Sequence, residues 1–350
     1  MKKLIAVAIA LLLLAAAGAG IFWWRDRRLT QFAHAPFGSP EAKTLDVPPG
    51  TGPRALANLL AQQAVVSDAD LLYAYLRREK LGPKLKAGEY EFKGALTPVQ
   101  VIDKITSGQV KTYRFTVPEG LRIDEALPIL AQSELHLDEG KLQRLAEDKS
   151  FLSRMKVPAG TIEGFLFPDT YSFTRGYNEE AVLAKMVSRT LEEYRKADSQ
   201  RKKSNAMDLL KTITLASIVE KETAAPEERP RISCVFHNRL RLGMKLQTDP
   251  TVLYAMKLMR GEFVKNITSK DLLTEHPYNT YTVFGLPPGP IASPGAASIQ
   301  AALNPIDCTD LYFVSRNDGT HVFCPDLRCH NEAVERWQRE YFRKQKHRDG

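Results

Sequence analysis

The feature that most constrains this chain is an unbroken apolar run near its amino terminus, from Leu4 to Trp24. As an α-helix its 21 residues would be about 31 Å long, enough to cross the hydrocarbon core of a bilayer. Two tryptophans end the run and arginines follow at once, as at a membrane interface. Small residues before the tryptophans leave a cleaved signal peptide as the alternative, but the length of the run favours an uncleaved anchor. The sequence therefore predicts a short tail at residues 1–3 and a transmembrane helix at 4–24.

The charges of the chain suggest which partners it can have. Two lysines and the amino group precede the apolar run and three arginines follow it, so charge bias alone leaves the orientation open. The net charge of +8 suits anionic partners such as phospholipid head groups, acidic cell-wall polymers or nucleic acid. The basic residues do not alternate with aromatic ones, and the sequence contains no recognised DNA-binding motif. Nucleic acid is therefore not an expected partner.

The chain beyond the anchor, about 325 residues, is longer than one compact domain usually is, so two or three domains are expected. Residues 25–44 show no sustained hydrophobic period and are predicted to be a tether. A short strand, a Pro/Gly turn and a helix then occur twice, beginning at Val47 and at Val117.

A small α+β module is predicted at residues 45–115. It combines the first of these copies with an alternating strand at Gly88–Phe92 and a capped helix at Thr97–Ser107. The module has no cluster of titratable residues, so a binding or spacer role is expected for it. Any chemistry is then expected in residues 116–350.

The stretch Asp208–Thr223 is predicted to be a helix with two carboxylates near its end. At 100° per residue Glu220 falls inside the apolar stripe, whereas Glu222 falls on the polar side beside Lys211. A buried carboxyl either protonates, as a general acid requires, or finds a partner. A structural glutamate satisfied by an arginine or by backbone is the alternative interpretation of Glu220.

Stiff polar loops follow this helix. Gln247, Thr248 and Asp249 lie in one loop, Tyr278, Asn279 and Tyr281 in the next, and a Pro/Gly-rich segment comes third. Glu163 lies earlier, in an aromatic-rich turn. Amide, hydroxyl and aromatic groups on fixed loops suit a sugar polymer better than a phosphate, and the usual nucleotide, serine-hydrolase and zinc-protease motifs do not occur.

All four cysteines lie in the carboxyl-terminal half, where a β-hairpin is predicted. The strand Leu311–Val314 and the segment His321–Phe323 flank an Asn-Asp-Gly turn. An even number of cysteines in an exported protein permits disulfides, with Cys324 paired to Cys329 or Cys308 as a plausible choice. The spacing of histidines and cysteines matches no standard zinc module, so no metal and no cofactor are expected.

Several long motifs, in order, resemble the YceG-like family of endolytic murein transglycosylases. They are Glu163–Tyr171 (EGFLFPDTY), Ala216–Glu222 (ASIVEKE), Leu246–Thr251 (LQTDPT), Tyr278–Tyr281 (YNTY) and Gly285–Gly289 (GLPPG). The resemblance covers essentially the whole chain and implies an α+β protein: one inner-membrane anchor, a LysM-like module at 45–115 and a mixed α+β catalytic domain at 116–350. The chain departs from the family pattern at Cys324 and Cys329, which interrupt a terminal motif of histidines and hydroxyl residues.

The resemblance also implies a reaction and a set of roles. It places the catalytic acid at Glu220, which would protonate the leaving oxygen between N-acetylmuramic acid and N-acetylglucosamine and then deprotonate the muramyl 6-hydroxyl. Glycan strands would be cut internally and end in 1,6-anhydromuramic acid, at the periplasmic face of the inner membrane. Residues 1–3 would be a short cytoplasmic tail, and peptidoglycan synthases would be neighbouring partners. Gln247, Thr248, Asp249, Tyr278, Asn279, Tyr281 and Glu163 would contact the sugars. Glu222 would support Glu220 or pair with Lys211 or Lys221.

Two rival functions remain at this point. A membrane-anchored scaffold could bind the wall without cutting it, although the presence of Glu220 favours an enzyme. A glycan hydrolase would need a second essential carboxylate, such as Asp249 or Glu163, and would release reducing ends.

Overall fold

The computed structural model describes residues 2–201, 207–264, 266–341 and 343. These residues form two compact units. The first contains the chain up to Tyr113 together with Ser172–Gly176, and the second contains residues 114–171 and the chain from Tyr177 onward. Helices and strands both contribute, in agreement with the predicted α+β class.

The first unit is built on one antiparallel strand pair. β1 and β2 are antiparallel, with Leu45 opposite Tyr90, and both side chains are buried in the core of the unit. The Tyr90 hydroxyl donates to the carbonyl oxygens of Lys86 and Ile105, so the buried phenol is satisfied. The elements are α1 (Lys2–His34), β1 (Lys43–Val47), α2 (Pro53–Gln62), α3 (Ala69–Arg78), β2 (Gly88–Phe92) and α4 (Pro98–Ser107).

The predicted helix at Thr97–Ser107 is confirmed as α4. Thr97 accepts from the Gln100 backbone N–H while the Gln100 side chain accepts from the Thr97 N–H, which completes a capping box. Gly108 ends the helix in the left-handed conformation, where a residue without a Cβ is favoured.

The prediction of a tether at 25–44 is wrong for its first ten residues. α1 continues without a break to His34, and Leu29, Phe32 and Ala33 are buried in the core of the first unit. Their spacing of three and four residues places them on one face of the helix. A single such turn after a run of arginines is too short to show a period in the sequence. Among the described residues α1 is also the one helix long and apolar enough to cross a membrane.

The rest of the chain is mostly helical, with two short strand pairs. β3 pairs with β4, and β5 pairs with β6. The elements are β3 (Tyr113–Thr116), α5 (Ile123–Ala131), α6 (Glu139–Glu147), α7 (Lys149–Arg154), β4 (Thr170–Phe173), α8 (Glu179–Ser199), α9 (Leu209–Glu222), α10 (Arg229–Arg241), α11 (Asp249–Arg260), α12 (Ser269–Leu272), α13 (Ala296–Leu303), β5 (Tyr312–Ser315), β6 (His321–Cys324) and α14 (Leu327–Val334), followed by a π-helical turn at Glu335–Arg339.

Helix α9 is the centre of the second unit. Every residue from Thr212 to Val219 is buried, and α10, α11 and α13 pack around the helix. The hydroxyls of Thr212, Thr214 and Ser217 donate to backbone carbonyl oxygens of the preceding turn, each at 2.7 Å. The predicted polar side suggested a half-exposed helix. The structure instead buries the helix along most of its length. Its ionisable residues are confined to the two ends, which is the pattern of a helix enclosed on all sides.

The predicted carboxyl-terminal hairpin is confirmed. β5 and β6 are antiparallel with Phe313 opposite Phe323. His321 anchors the hairpin, because its backbone N–H and its Nδ1 contact the Glu228 carboxylate at 2.9 and 2.6 Å. The disulfides join Cys324 to Cys329 and Cys234 to Cys308, so the first of the two anticipated pairings is the one present.

Candidate active site

Glu222 is the last residue of α9 and faces the loop that begins α11. The Thr248 hydroxyl donates to Glu222 Oε1. Burial raises the pKa of the Glu222 carboxyl to about 7; the Asp249 charge acts in the same direction, while the Thr248 hydrogen bond and the Arg239 guanidinium oppose it. A carboxyl with this pKa exchanges its proton near neutral pH, as a general acid and base must.

Thr248, the hydrogen-bond partner of Glu222, is held by a network of threonine hydroxyls. The Thr248 backbone N–H donates to Thr280 Oγ1 at 3.0 Å, and Thr280 Oγ1 lies 2.8 Å from Thr251 Oγ1. Gln247 has a φ of +48° and donates its backbone N–H to the Thr280 carbonyl oxygen. The Gln247 side chain is exposed. The loop is thereby fixed against the segment that follows Asn279.

Asp249 and Tyr281 flank this loop. The Tyr281 hydroxyl donates to Asp249 Oδ1 at 2.6 Å. Burial raises the pKa of the Tyr281 phenol, and the hydrogen bond to Asp249 raises it further, so the phenol keeps its proton as a donor. Of the predicted sugar contacts, Gln247, Thr248, Asp249 and Tyr281 therefore lie together around Glu222.

Glu220 has a different environment from Glu222. Its side chain is 5% exposed, and Arg229 Nη2 donates to its Oε1 at 2.8 Å. Its Oε2 accepts from the Gly295 backbone N–H at 3.0 Å and from the Ser298 hydroxyl at 2.8 Å. Both oxygens are engaged, and together they join α9 to α10 and to the start of α13. This is the structural arrangement that the sequence left open as the alternative to a catalytic Glu220.

The anchor around Glu220 includes a second carboxylate. Arg229 Nη2 also donates to Glu119 Oε2 at 3.2 Å, and Glu119 occupies the space where a side chain at position 295 would lie. A Cβ on Gly295 would come within 2.0 Å of Glu119 Oε1, so any larger residue there would have to displace the Glu119 carboxylate. Lys221 donates to the Gly120 carbonyl oxygen at 3.0 Å, and Lys211 Nζ lies 4.0 Å from Asp208, so the expected pairing of either lysine with Glu222 is not seen.

Glu163 lies inside the second unit and not at its surface. Its carboxylate accepts from the Ile123 and Gly164 backbone N–H groups and from the Tyr254 hydroxyl, at 3.1 to 3.3 Å. Burial raises its pKa to about 7 in spite of these bonds. Gly164 has a φ of +77° and packs directly on Pro290, which fixes the turn. The contacts of Glu163 support the start of α5 instead of presenting an oxygen to a ligand.

The two other predicted sugar contacts have separate environments. Asn279 is fully buried, and its amide nitrogen donates to the carbonyl oxygens of Asp271, Leu272 and Thr274 while its oxygen accepts from the Tyr281 N–H. The prediction that Asn279 lines the sugar-binding groove is therefore wrong. Its side-chain hydrogen bonds instead stabilise the loop that carries Tyr281. Tyr278 is half-buried, with its ring 4.9 Å from that of Tyr254.

Two residues of this region were not anticipated from the sequence. Arg229 is the first residue of α10. Its pairing with Glu220 depends on how α9 and α10 cross, which no local sequence pattern predicts. Thr280 lies inside the Tyr278–Tyr281 motif, between residues that were noticed for their larger polar groups. Its hydroxyl, and not the Asn279 amide, is what contacts the Thr248 loop.

The family of the chain is shown by its similarity to known proteins. The sequence profile of the YceG-like family matches residues 45–336. The chain belongs to the YceG-like family. An endolytic murein transglycosylase of Bacillus subtilis is 30% identical over 308 residues, 84% of each chain. An endolytic murein transglycosylase of Streptococcus pneumoniae is 26% identical over 334 residues, 87% of this chain and 60% of that protein.

A solved structure supports the fold of this YceG-like protein. The crystal structure of a YceG-like protein from Listeria monocytogenes matches it with a TM-score of 0.55 and 32% identity. The match covers 84% of this chain and 99% of that one. The family match begins at residue 45, so it includes both compact units of this chain.

We expect the Glu220 anchor to govern stability. Arg229→Met leaves a buried carboxylate without its cation and should lower the free energy of unfolding by about 3–5 kcal/mol. The double variant Arg229→Met/Glu220→Leu should lose less than the sum of the two single changes, because the unpaired charge is gone. Urea unfolding of the full-length protein in detergent measures both. Arg241→Met, at the exposed end of α10, serves as the control. An equal loss of unfolding free energy in this variant would contradict the stabilising role of the Glu220–Arg229 pair.

Proposed function

We propose that this protein is an endolytic murein transglycosylase. It would cleave the β-1,4 bond between N-acetylmuramic acid and N-acetylglucosamine inside glycan strands and leave 1,6-anhydromuramic acid ends. The observation that carries the proposal is the Glu222 carboxyl, with its pKa near 7, at the meeting point of Thr248, Asp249 and Tyr281. The names of the relatives in Bacillus and Streptococcus support the same reaction.

The geometry favours Glu222, and not Glu220, as the proton donor. An acid that protonates a substrate oxygen needs an oxygen of its own that can reach it. Both oxygens of Glu220 are held by Arg229, Gly295 and Ser298, so a proton transfer would have to break the anchor of three helices. Glu222 is bonded to Thr248 through one oxygen and has the pKa that the reaction requires.

One carboxyl is sufficient for both halves of the reaction. Glu222 gives its proton to the N-acetylglucosamine 4-oxygen as the bond from that oxygen to the muramyl C1 breaks. The Glu222 carboxylate then takes the proton of the muramyl 6-hydroxyl as that oxygen bonds to C1. The carboxyl is protonated again at the end, and no water is consumed. A hydrolase would instead use a spaced pair of carboxylates and a water molecule.

The neighbours of Glu222 support these steps in two ways. The Asp249 charge raises the pKa of Glu222, and the same negative charge would stabilise positive charge that develops at the anomeric carbon. Thr248 orients the carboxyl, and the exposed side chain of Gln247 and the half-buried ring of Tyr278 would contact the sugars. Glu163 would contribute by holding the start of α5 and the Tyr254 ring.

The location is part of the proposal. The exposed, apolar part of α1 would span the inner membrane once, with both compact units on the periplasmic side. The disulfides Cys234–Cys308 and Cys324–Cys329 support an oxidising compartment. The order β1, α2, α3, β2, with antiparallel strands, supports a LysM-like module in the first unit. Peptidoglycan synthases would be natural neighbours of an enzyme that cuts new strands.

The assignment is tested by replacing each glutamate in the full-length protein. Purified glycan strands are digested and their ends identified by mass spectrometry. Wild type should release internal fragments ending in 1,6-anhydromuramic acid, Glu222→Gln should lose at least about a thousandfold in rate, and Glu220→Gln should lose mainly stability. Reducing ends would indicate a hydrolase that uses Asp249. Loss in Glu220→Gln with normal folding and an active Glu222→Gln would contradict the assignment, and binding without cleavage would favour a scaffold.

The raised pKa of Glu222 predicts the pH dependence of the rate. The reaction starts from the protonated acid, so kcat/KM should be highest below about pH 7 and fall tenfold per pH unit above it. Glu163, also buried, has a similar pKa but no role as a proton donor, so Glu163→Gln should keep the same midpoint. Initial rates of the wild type and of Glu163→Gln, measured between pH 5 and 9, would show which carboxyl sets the midpoint. A shifted or missing midpoint in Glu163→Gln would assign the titration to Glu163.

A further inference from the structure

A second concave site lies beside the start of α9, away from Glu222. Its volume is about 770 Å³, within the range of sites that bind small molecules and peptides. Much of its lining is apolar, and it comes from α9, α10 and the Pro/Gly-rich loop before α13. The lining residues are Met207, Leu210, Lys211, Thr214, His237, Leu240, Arg241, Leu286, Pro287 and Pro288.

The charged groups of this site all favour an anion. Lys211 and Arg241 lie on its rim with exposed side chains. Arg241 uses one N–H on the Asn238 side-chain oxygen at 3.3 Å, and Lys211 Nζ lies 4.0 Å from the capping carboxylate of Asp208. Among the residues that the structure describes, neither cation has a further side-chain partner, so most of their donors are available for a ligand.

His237 adds an acceptor to the same site. Burial lowers its pKa, and its Nε2 lies 2.8 Å from the Ala302 carbonyl oxygen. In a neutral ring that nitrogen must carry the proton, which leaves Nδ1 as an acceptor for an N–H donor. The site thus combines apolar walls, two cations and an acceptor, a combination that suits a short peptide with carboxylates, N–H groups and small apolar side chains.

The position of the site on α9 relates it to Glu222. Lys211 and Glu222 are eleven residues apart, which turns the helix by only about 20° and advances it by about 16 Å. Both residues therefore lie on the same side of the helix. Murein carries on each muramyl lactyl group a peptide of about five residues, which spans up to about 16 Å when extended. This length matches the separation along the helix axis, but Leu215 and Ile218 on this side are buried, so a peptide branch would have to pass over the residues that cover α9.

We propose that the cavity between α9, α10 and the Leu286–Pro288 loop binds the peptide branch of the murein strand, with Lys211 and Arg241 on its carboxylates. This inference rests on the proposed function, because it takes the glycan at Glu222 as its starting point. The enzyme then recognises peptide-bearing glycan in preference to bare glycan.

The test compares two glycan substrates and two charge-reversed variants of the full-length protein. One substrate keeps its peptides; in the other an amidase has removed them, which leaves anionic lactyl groups in place. Lys211→Glu/Arg241→Glu reverses the cations of the site. Arg195→Glu/Lys196→Glu, on the exposed surface of α8, changes the net charge equally and controls for long-range attraction.

Reversal at the site should lower kcat/KM on peptide-bearing strands about tenfold, through KM, and change it less than about twofold on bare strands. The α8 control should not discriminate between the substrates. Equal losses on both substrates, or no loss on either, would overturn the proposal while the proposed function stood. Because a failure of the proposed function would remove all cleavage, a second measurement is independent of it. Titration of the Glu222→Gln protein with the free murein pentapeptide should show binding that the reversal abolishes, and no binding would also overturn the proposal.

Discussion

The ion pair between Glu220 and Arg229 is the interaction on which the arrangement of the second unit depends. Helix α9 is buried along eight consecutive residues, and its hydroxyls are satisfied within the helix itself. Glu220 then brings a carboxylate into this buried environment, where an unpaired charge would be very costly. Arg229, the Gly295 N–H and the Ser298 hydroxyl supply its partners from two other helices. The last turn of α9 is thereby fixed in position and rotation.

The position of Glu222 follows from that fixed turn. Two residues further along a helix is a rotation of about 200°, so Glu222 must face away from the anchor. It faces the Thr248 loop, which the Thr280 hydroxyl holds in place. The two glutamates thus have different environments. One carboxylate is committed to packing, and the other is desolvated and has one hydrogen-bond donor, the condition that raises its pKa toward neutrality.

The sequence predicted local structure well where local chemistry decides it. The Thr97 cap, the helix that ends at Glu222 and the hairpin around the Asn-Asp-Gly turn are all present. The convergence of Thr248, Asp249 and Tyr281 near the end of α9 was also anticipated. These features depend on caps, periodicity and turn residues that lie within a few positions of one another.

The features that the sequence left open or missed depend on contacts between distant parts of the chain. A helical wheel correctly placed Glu220 on the inner side, but whether an inner carboxyl is an acid or an anchor depends on Arg229 and on the start of α13. Asn279 was expected in the groove because its amide suits sugars, but carbonyl groups of the preceding loop use it instead. The end of α1 was assigned to a tether because its buried face shows only after the first unit has folded around it.

The central claim is that Glu222 carries the exchangeable proton and Glu220 does not. The most direct measurement is a carbon-13 NMR titration of the glutamate side-chain carboxyls in the labelled full-length protein, compared with Glu222→Gln and Glu220→Gln. We expect a carboxyl resonance titrating near pH 7 that disappears in Glu222→Gln and persists in Glu220→Gln. A second such resonance, from Glu163, should persist in both variants. A neutral-range resonance that disappears in Glu220→Gln and persists in Glu222→Gln would contradict it.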